Sequence, residues 1–487
     1  CGRSELSMLL GIDLGTSAVK VVACRNRRVA ASASVAMETD SPHPGWSEQD
    51  PGLWLEAMHA AVRLLMSAPE MEGQRVSAIG LSGQMHGAVL LDRDRNVLRP
   101  CILWNDSRSY GECGELSERI PRIGHLAGVP PLPGFTAPKL MWVARNEPEV
   151  HARIAHVLLP KDFIGFHLHG NLATDASDAA GTLWLDQGAR RWSRELCDAS
   201  DTCIDWLPAV FDGGEVAGHL QPGAAKALGL EPNIPIVAGG GDAATGAVAV
   251  GATEAGRGFV SLGTSGQLFV ATGAYSPNPE RFVHAFAHTV PARWYQMAAM
   301  LNGARPLSWL ASILNCSVAD VLGNAANAEP GRMPLFLPYL TGERSPHGDP
   351  HIRGAFYGLE DSTDTAGLCG SVVEAIAFSF ADAADSFGTQ FDDVPHLLAI
   401  GGGSRSDLLL QSISDATGKR ILRAGDAEGG PALGAAILAE TAAGFDGPTD
   451  SAGAPEANAE FNPRADATML ERLSRFRSLY AALKAMR

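Results

Sequence analysis

Basic residues are scarce in this chain. Its 487 residues include 38 Lys and Arg against 54 Asp and Glu, which gives a formal net charge of −16 at pH 7. A protein that binds nucleic acid needs a basic face, so this balance argues against a nucleic-acid partner. It also requires any anionic ligand to be held locally, by backbone N–H groups, a few cationic side chains or a metal ion.

Cysteine pairs and long apolar runs are also absent. The eight cysteines form no C-x-x-C pair, and no apolar run reaches the length of a membrane span. The sequence therefore predicts a protein of the reducing cytoplasm without a membrane span. Residues 1–7 precede Met8 and are interpreted as a loose terminus or cloning remnant. A signal peptide is not expected, because the apolar stretch that follows is short and ends at Asp13.

Nucleotide-binding motifs are nearly absent. The pattern G-x-x-x-x-G-K-[ST] does not occur, which argues against a P-loop enzyme. Residues 239–244, GGGDAA, fit a loose G-x-G-x-x-A and leave a nicotinamide-dependent dehydrogenase as an alternative. No clean helix, second strand and ribose-binding acid follow at the spacing of a dinucleotide-binding fold, so this signal is weak.

The hydrophobic pattern predicts alternating strands and helices. Three apolar runs near the N-terminus, separated by turn signals, predict a three-stranded antiparallel meander over 8–13, 18–24 and 29–35. The pattern also predicts a helix over 51–66 that is capped by Asp50, and strands over 76–81, 88–91, 259–262, 267–271 and 397–400. Further helices are predicted between the last of these strands and residue 417, from 430 to 443 and over 466–486. Residues 445–466 are predicted to be a surface connection.

An internal repeat suggests the domain organisation. The chain is too long for one hydrophobic core, so about two large domains are expected. The letters LGTS occur at 14–17 and again at 262–265, each time between two strand-like runs. The repeat predicts two similar α/β domains, 8–251 and 252–487, whose Gly-Thr-Ser turns face each other across a cleft.

Four glycine-rich turns are candidates for phosphate binding. They are Asp13–Ser17, Leu262–Gly266, Gly401–Ser404 and Gly429–Pro431. Glycine lets backbone N–H groups converge on an anion, and Ser or Thr hydroxyls add donors. One such turn is weak support, because Gly-Thr-Ser often only closes a hairpin. Four of them beside strand ends or helix starts favour a phosphate-binding protein.

Two acids lie at such turns. Asp13 ends the first predicted strand, and Asp242 follows the three glycines at 239–241. Phosphoryl transfer uses one carboxylate to hold Mg²⁺ against the phosphates and another to accept the proton of the attacking hydroxyl. Asp242 is the candidate base, with the glycines clearing space for a phosphoryl group and a sugar hydroxyl. Alternatively, Asp242 only caps the short helix after it.

The segment SGQMHG adds candidates for binding a polyol. Gln84 and His86 offer hydrogen bonds, and Met85 offers an apolar surface for the carbon chain. Trp104 is a further candidate, and Lys20 is a candidate contact for a phosphate. Each has a structural alternative: a surface histidine, a core tryptophan or a solvated lysine.

The motifs together resemble a known family. The chain carries, in the order and spacing of bacterial xylulokinases, the segments MLLGIDLGTSAVKVV, GLSGQMHGAVLLD, ILWNDSR, PGFTAPKLMWV, LLPKDF, DASDAAGTLWLD, VAGGGD, SLGTSG, FLPYLTGERSPH and IGGGSRS. Xylulokinases belong to the FGGY carbohydrate kinases, and the resemblance runs from Met8 to about Ala443. It implies two ribonuclease-H-like domains of the actin and hexokinase type, the first binding sugar and the second nucleotide, with the active site in the cleft between them.

The resemblance also implies an activity. It implies that the protein uses ATP and Mg²⁺ to phosphorylate D-xylulose to D-xylulose 5-phosphate. This reaction belongs to the xylose catabolism that feeds the pentose phosphate pathway. Position by position it implies Asp242 as general base, Asp13 as the acid that organises Mg²⁺, and Met85 and His86 as sugar-binding residues. The implied nucleotide and phosphate contacts are Lys20, Gly263, Thr264, Ser265, Gly401, Gly402 and Gly403, while Gly15, Thr16, Ser17 and Ser404 are candidates from the turns alone.

One departure from the family leaves alternatives open. Many relatives carry an amide after the base, where this chain has Ala243, and a lost donor weakens binding by about 1 kcal/mol or more. A kinase of ribulose or another polyol is therefore an alternative, as is an ATP-dependent scaffold on the actin-like fold. Glu343 and Arg344, in TGERSPH, have no derived role beyond pairing with each other. The acidic surface is compatible with a monomer or a homodimer.

Overall fold

The structure is a computed structural model that describes residues 7–425, 429–444, 455–464 and 467–486. The predictions for residues 1–6, 445–454 and 465–466 lie outside these ranges. Two twisted sheets of seven strands each organise the chain, one built from residues before 242 and one from residues after 257. The predicted boundary between Gly251 and Ala252 falls in the segment that joins them and stays a prediction.

The first half contains fifteen strands and ten helices within the described residues. The strands are β1 Ser7–Leu14, β2 Ala18–Arg25, β3 Arg28–Ala36, β4 Glu48–Gln49, β5 Arg75–Gly83, β6 Val89–Leu91, β7 Cys101–Ile102, β8 His156–Leu158, β9 Ala173–Asp175, β10 Leu185–Asp186, β11 Arg191–Trp192, β12 Ala209–Phe211, β13 Val216–His219, β14 Pro235–Val237 and β15 Gly240–Gly241. The helices are α1 Pro51–Met66, α2 Tyr110–Arg119, α3 Ile123–Ala127, α4 Thr136–Asn146, α5 Pro148–His151, α6 Pro160–His169, α7 Ala176–Ala179, α8 Arg194–Ala199, α9 Pro222–Leu228 and α10 Asp242–Ala249.

The second half contains nine strands and seven helices within the described residues. The strands are β16 Gly258–Leu262, β17 Gly266–Thr272, β18 His284–Ala287, β19 Trp294–Met300, β20 Leu335–Leu337, β21 Ala355–Tyr357, β22 His396–Ile400, β23 Arg420–Ala424 and β24 Ala457–Phe461. The helices are α11 Arg305–Leu314, α12 Val318–Ala325, α13 Thr365–Asp385, α14 Thr389–Asp392, α15 Asp407–Thr417, α16 Gly430–Leu438 and α17 Ala467–Ala485.

Both sheets share one strand pattern. In the first, β1 pairs antiparallel with β2, which pairs antiparallel with β3, while β5 and then β14 add in parallel on the other side. In the second, β16 pairs antiparallel with β17, which pairs with β19, while β22 and then β23 add in parallel. The predicted meander and the predicted likeness of the two halves are confirmed, and each Gly-Thr-Ser turn closes the first hairpin of its sheet.

Local sequence signals predict one helix start correctly and fail at two other places. The side chain of Asp50 accepts a hydrogen bond from Gly52 N at 2.8 Å, which confirms the predicted cap of α1. The predicted connection over 445–466 lies at the surface in its described part. It is wrong as an irregular segment, because β24 pairs with β23 at the edge of the second sheet. The prediction that no clean helix follows the glycine run is also wrong, because α10 follows it for eight residues.

The long helix α13 lies at the centre of the second half. By length and composition it is the one described helix able to cross a membrane. Helices α11 and α12 are long and apolar enough only when taken together, and the chain bends by 96° between them. Within α13, however, 83% of the most apolar stretch is buried inside the protein, in the hydrophobic core of the second half. Its apolar composition is therefore explained by core packing.

Helix α16 joins the two halves. Although it comes late in the chain, it packs on β1 and β5 of the first sheet and on α10. Backbone lies against backbone there: a Cβ added at Gly80 would lie 1.8 Å from Ala435 O, and one added at Gly434 would lie 1.8 Å from Thr245 O. Glycine at these positions permits a helix spacing that no larger residue allows.

We expect Gly434→Ala to destabilise the protein by about 1–3 kcal/mol, because the added methyl group meets backbone that cannot rotate away. Gly114→Ala is the matched control, since that glycine lies in α2 with nothing within 4 Å of an added Cβ. Urea denaturation followed by circular dichroism measures both variants. Equal midpoints for the two would contradict the close packing of α16 on α10.

Candidate active site

Asp242 lies where the glycine run crosses the edge of the first sheet. Gly240 and Gly241 pair in parallel with the end of β5, and Asp242 then begins α10. A Cβ at Gly239 would lie 1.8 Å from Leu81 O, and one at Gly241 would lie 2.8 Å from the side chain of Met85. The prediction that these glycines clear space for a ligand is therefore wrong: they permit close packing inside the protein.

A buried ionic cluster fixes this loop from behind. Lys161 Nζ lies 3.1 Å from Asp175 Oδ1 and 3.5 Å from Asp178 Oδ2, with all three side chains buried. Asp175 accepts a hydrogen bond from Ser177 Oγ at 2.6 Å, and Ser177 Oγ accepts one from Gly241 N at 3.1 Å. The position of the residue before Asp242 is thus set by a chain of polar contacts.

Asp242 lies between two cavities. The inner cavity, about 210 Å³, is lined by Met85, His86, Trp104, Asp242, Ala243, Ser265, Gly266, Gln267, His284, Phe286, Met297, Ala299, Met300 and Arg344. The middle cavity, about 320 Å³, is lined by Asp242, Ala243, Gly246, Ala249, Val250, Phe259, Ser261, Gln267, Ile400, Gly401, Gly430, Pro431 and Leu433. Both halves of the chain contribute walls, so the carboxylate stands where the two halves meet.

The carboxylate of Asp242 is only partly used by its own helix. Gly241 is the N-cap of α10, and Asp242 Oδ1 accepts a hydrogen bond from Ala243 N at 2.7 Å. The alternative that Asp242 is the N-cap of this helix is therefore wrong, because Asp242 lies within the first turn and accepts its hydrogen bond there. Because the side chain remains exposed to the cleft, it can also meet a ligand.

Asp13, at the end of β1, is the second acid at this point. It lies directly across from Lys20 in the β1–β2 register, and its Oδ1 atom is buried with no hydrogen-bond partner among the described residues. Burial raises the pKa of Asp13 to about 6, with the Ser82 hydroxyl and the Lys20 charge opposing the rise. An unpartnered buried carboxylate oxygen suits a hard cation such as Mg²⁺, which binds one or two carboxylates and keeps its remaining ligands as water or phosphate.

The two acids act on each other. Enclosure between the two halves raises the pKa of Asp242 to about 7, and repulsion from Asp13 adds to the rise. A carboxylate with a pKa near neutrality is suited to accepting a proton at physiological pH.

His86 is held in a strained conformation beside the inner cavity. Its φ is 71°, a region that residues other than glycine rarely adopt. Its carbonyl accepts hydrogen bonds from Lys139 Nζ at 2.8 Å and Thr136 Oγ1 at 3.1 Å, and its Nδ1 bonds to Gly181 O at 2.7 Å. Burial lowers the pKa of His86 to about 3, so the ring is neutral. With Nδ1 donating to a carbonyl, Nε2 is left as an acceptor.

Gln84 and Thr16 are engaged inside the protein. Thr16 Oγ1 donates to Gln84 Oε1 at 2.9 Å and accepts from Trp104 Nε1 at 2.9 Å, while Gln84 Nε2 donates to Gln49 Oε1 at 3.2 Å. Of these residues only Trp104 lines the inner cavity. The structure therefore does not support direct sugar contact by Gln84 or phosphate binding by the Thr16 hydroxyl. Both hold Trp104 and the first turn in place.

The glycine-rich turns of the second half border the cavities. An outer cavity of about 540 Å³ is lined by Leu262, Gly263, Thr264, Ala304, Leu307, Ser308, Val318, Ala319, Leu322, Gly402, Gly403, Arg405, Ser406 and Leu409. Gly401 lines the middle cavity and Ser265 the inner one. Ser404 lines none of the three cavities, and its hydroxyl is buried and donates to Gly401 O at 2.7 Å.

The first turn lies beside the cavities without lining them. Gly15, Ser17 and Lys20 belong to the same hairpin as Asp13, and Ser17 is exposed. The hairpin is tied to the inner cavity through Thr16 and Trp104. The candidates that line the cavities are Met85, His86, Trp104 and Asp242 from the first half and Gly263, Thr264, Ser265, Gly401, Gly402 and Gly403 from the second.

Sequence patterns missed part of these walls. Leu307 and Leu322, on α11 and α12, line the outer cavity but have the helical spacing of ordinary core residues. Gln267 in β17 lines both the inner and middle cavities, but the alternation of polar and apolar residues around it is that of any strand. Arg344 lines the inner cavity, although TGERSPH predicted only a pair with Glu343.

Known proteins share both the sequence and the fold. Residues 8–249 match the N-terminal domain, and residues 258–443 the C-terminal domain, of the FGGY family of carbohydrate kinases. The chain is 43% identical over 439 residues to the xylulose kinase of Escherichia coli (strain K12), covering 90% of each chain.

Two solved structures are similar throughout. A xyloylose kinase from Brucella ovis superposes with a TM-score of 0.94 at 41% identity, covering 99% of this chain and 100% of the other. The xylulose kinase from Rhodospirillum rubrum gives a TM-score of 0.91 at 27% identity, covering 98% of this chain and 99% of the other.

Proposed function

Because this chain belongs to the FGGY family of carbohydrate kinases, we propose that it transfers the γ-phosphoryl group of ATP to D-xylulose and releases D-xylulose 5-phosphate. The relatives at 43% and 41% identity are xylulose kinases. The observation that carries the proposal is the position of Asp242, whose carboxylate lines both the inner and the middle cavity.

The three cavities suggest a division of labour. We assign the sugar to the inner cavity, where Met85 offers an apolar surface, His86 Nε2 an acceptor and Trp104 the surface of its ring. We assign the phosphates to the middle cavity, beside Gly401 and the start of α16. The nucleoside then falls to the outer cavity, whose apolar wall from α11 and α12 faces the turns at 263–264 and 402–403.

Asp242 is the proposed general base. A carboxylate between the sugar and phosphate cavities can accept the proton of the attacking hydroxyl as the phosphoryl group transfers in line. Since this transition state is loose, positioning does most of the work, and the proton moves late.

Asp13 is the proposed residue for Mg²⁺. Its unpartnered Oδ1 and its place beside Asp242 fit a cation held by few protein ligands. When bound, such a cation neutralises charge on the phosphate oxygens. Lys20 lies across the hairpin from Asp13 and supplies positive charge at the same edge.

Activity should rise with pH across neutrality. Asp242 must be deprotonated to act as a base, and its pKa is raised to about 7. Below that pH the carboxyl is protonated, so kcat/KM should fall by about tenfold for each further pH unit. Initial rates at fixed ionic strength between pH 5.5 and 8.5 measure this, and a profile that is flat between pH 6 and 8 would contradict the assignment.

A coupled assay of ADP release tests the proposed function. D-Xylulose, D-ribulose, aldopentoses and glycerol are compared with Mg-ATP in excess, and D-xylulose should give the highest kcat/KM. Ala243 lines the inner cavity, so the departure from the family's amide lies at the sugar site and makes D-ribulose the informative competitor. Release of ADP that no sugar stimulates would instead favour the scaffold alternative. A sugar-dependent change in nicotinamide absorbance without ATP and without coupling enzymes would favour the dehydrogenase.

A further inference from the structure

Arg344 brings an unused guanidinium group to the wall of the inner cavity. Its Nε atom is buried with no hydrogen-bond partner in the described part of the chain, and none of the ion pairs found among those residues includes it. Burial lowers the pKa of Arg344, with Glu343 opposing the shift, but an arginine stays charged. A buried N–H donor of a charged group that lacks an acceptor is costly unless a ligand supplies one.

Glu343 does not supply that acceptor. Its carboxylate accepts hydrogen bonds from Leu301 N at 2.6 Å, Arg344 N at 2.9 Å and Asn302 Nδ2 at 3.2 Å. The predicted pairing of the two side chains is therefore wrong: Glu343 binds the backbone that carries Arg344. Ser345 Oγ, which donates to Phe282 O at 2.6 Å, holds the next residue. The segment is braced on both sides of Arg344, as a preorganised binding residue requires.

The surroundings of Arg344 place it away from the phosphates. Arg344 lines the inner cavity but not the middle one, whereas Asp242 lines both. Arg344, His86 and His284 all line the inner cavity. Burial is the main cause that lowers the pKa of both histidines, and the charge of Arg344 adds to it. The Nδ1 atom of His284 is also buried without a partner among the described residues. Arg344 and His284 thus line the inner cavity alone, whereas Asp242 also faces the middle cavity.

The chemistry of a ketopentose provides a matching acceptor. A furanose ring of this sugar closes through the C5 oxygen, so that oxygen is free for phosphorylation only in the open chain. The open chain then has a free carbonyl at C2. A carbonyl oxygen only accepts hydrogen bonds, and a guanidinium only donates them. The C2 hydroxyl of the alditol also accepts, but it carries a proton that the guanidinium cannot take, so it fits Arg344 less well.

We propose that Arg344 binds the C2 carbonyl oxygen of the open-chain ketose, so that the inner cavity selects a ketopentose over the corresponding alditol. This inference rests on the proposed kinase function and adds a specificity-determining residue to it. The reacting hydroxyl lies at Asp242, and the carbonyl end lies toward Arg344 and His284.

The test compares a ketose with its reduced form. For the wild-type protein and Arg344→Met, we would measure the KM for D-xylulose and the Ki of xylitol as a competitive inhibitor. The KM should rise about 10- to 100-fold, because a charge-assisted hydrogen bond is lost. The Ki of xylitol should change far less, so the preference for the ketose should fall at least about fivefold. Arg344→Lys keeps the charge and should recover part of that preference.

Controls separate the possible outcomes. Arg332→Met is the matched variant, since that arginine is 67% exposed on the surface, and it should leave both constants unchanged. Thermal unfolding checks that the Arg344 variants are folded, and Arg344→Gln replaces the methionine variant if that one is not. A KM that rises less than about threefold, or a KM and Ki that rise by the same factor, would overturn the proposal. If the wild-type protein does not phosphorylate D-xylulose, the proposed function fails first, which is a different result.

Discussion

Asp242→Asn is expected to lower kcat by about a thousandfold, within the range of roughly 10²–10⁴ typical of a lost general base. Asparagine keeps the shape of the side chain and its carbonyl oxygen, so the hydrogen bond from Ala243 N survives. It cannot accept the proton of the sugar hydroxyl. The KM values for ATP and D-xylulose should therefore stay within a fewfold of the wild-type values, which steady-state assays of ADP release measure.

The matched control is Asp205→Asn, a surface aspartate outside all three cavities. It should keep full activity. If Asp242→Asn retained kcat within about tenfold of the wild type, positioning alone would account for catalysis and the role of base would be withdrawn. If instead both KM values rose strongly at unchanged kcat, Asp242 would be a binding residue only.

Asp13→Asn is expected to raise the Mg²⁺ concentration needed for half-maximal activity by about 10- to 100-fold, in line with losses seen when groups that support a metal are removed. The lost carboxylate also removes the repulsion that raises the pKa of Asp242. At saturating Mg²⁺, the pH inflection of kcat/KM should therefore move to lower pH. Titration of activity with Mg²⁺ at several pH values measures both effects.

Two results would contradict the account of Asp13. An unchanged Mg²⁺ requirement would remove it from the metal site. An inflection that stayed in place would mean that Asp13 and Asp242 are not electrostatically coupled. Asp205→Asn again serves as the control, because it removes the same charge from the protein at a distance from the cleft.

The sequence predicts the scaffold of the site well because its signals are local. Alternating apolar residues and turn signals determine the two hairpins, and LGTS marks the same turn in both sheets. Asp13, Met85 and Asp242 follow strands or glycines that bring them to one edge of the sheet. Their positions follow from strand order, which the motif resemblance also implies.

The remaining features depend on contacts between distant segments. The glycines at 239–241 are explained by the approach of β5 and Met85, far earlier in the chain. Gln84 and Thr16 use their polar groups on each other, which no local pattern reveals. Arg344 lines the inner cavity next to Glu343, whose carboxylate binds the backbone at Leu301. Sequence patterns alone assign such residues to a ligand or to a neighbour by residue type.

The most direct test of the central claim is to identify the product formed from D-xylulose and Mg-ATP. Phosphorus and carbon NMR should show one new phosphate monoester, formed in equal amount with ADP, whose phosphorus couples to C4 and not to the C2 carbonyl. That coupling places the phosphoryl group on the C5 oxygen, at the end of the sugar assigned to Asp242. Inorganic phosphate in place of a sugar ester, or an ester on the C1 oxygen, would contradict the account.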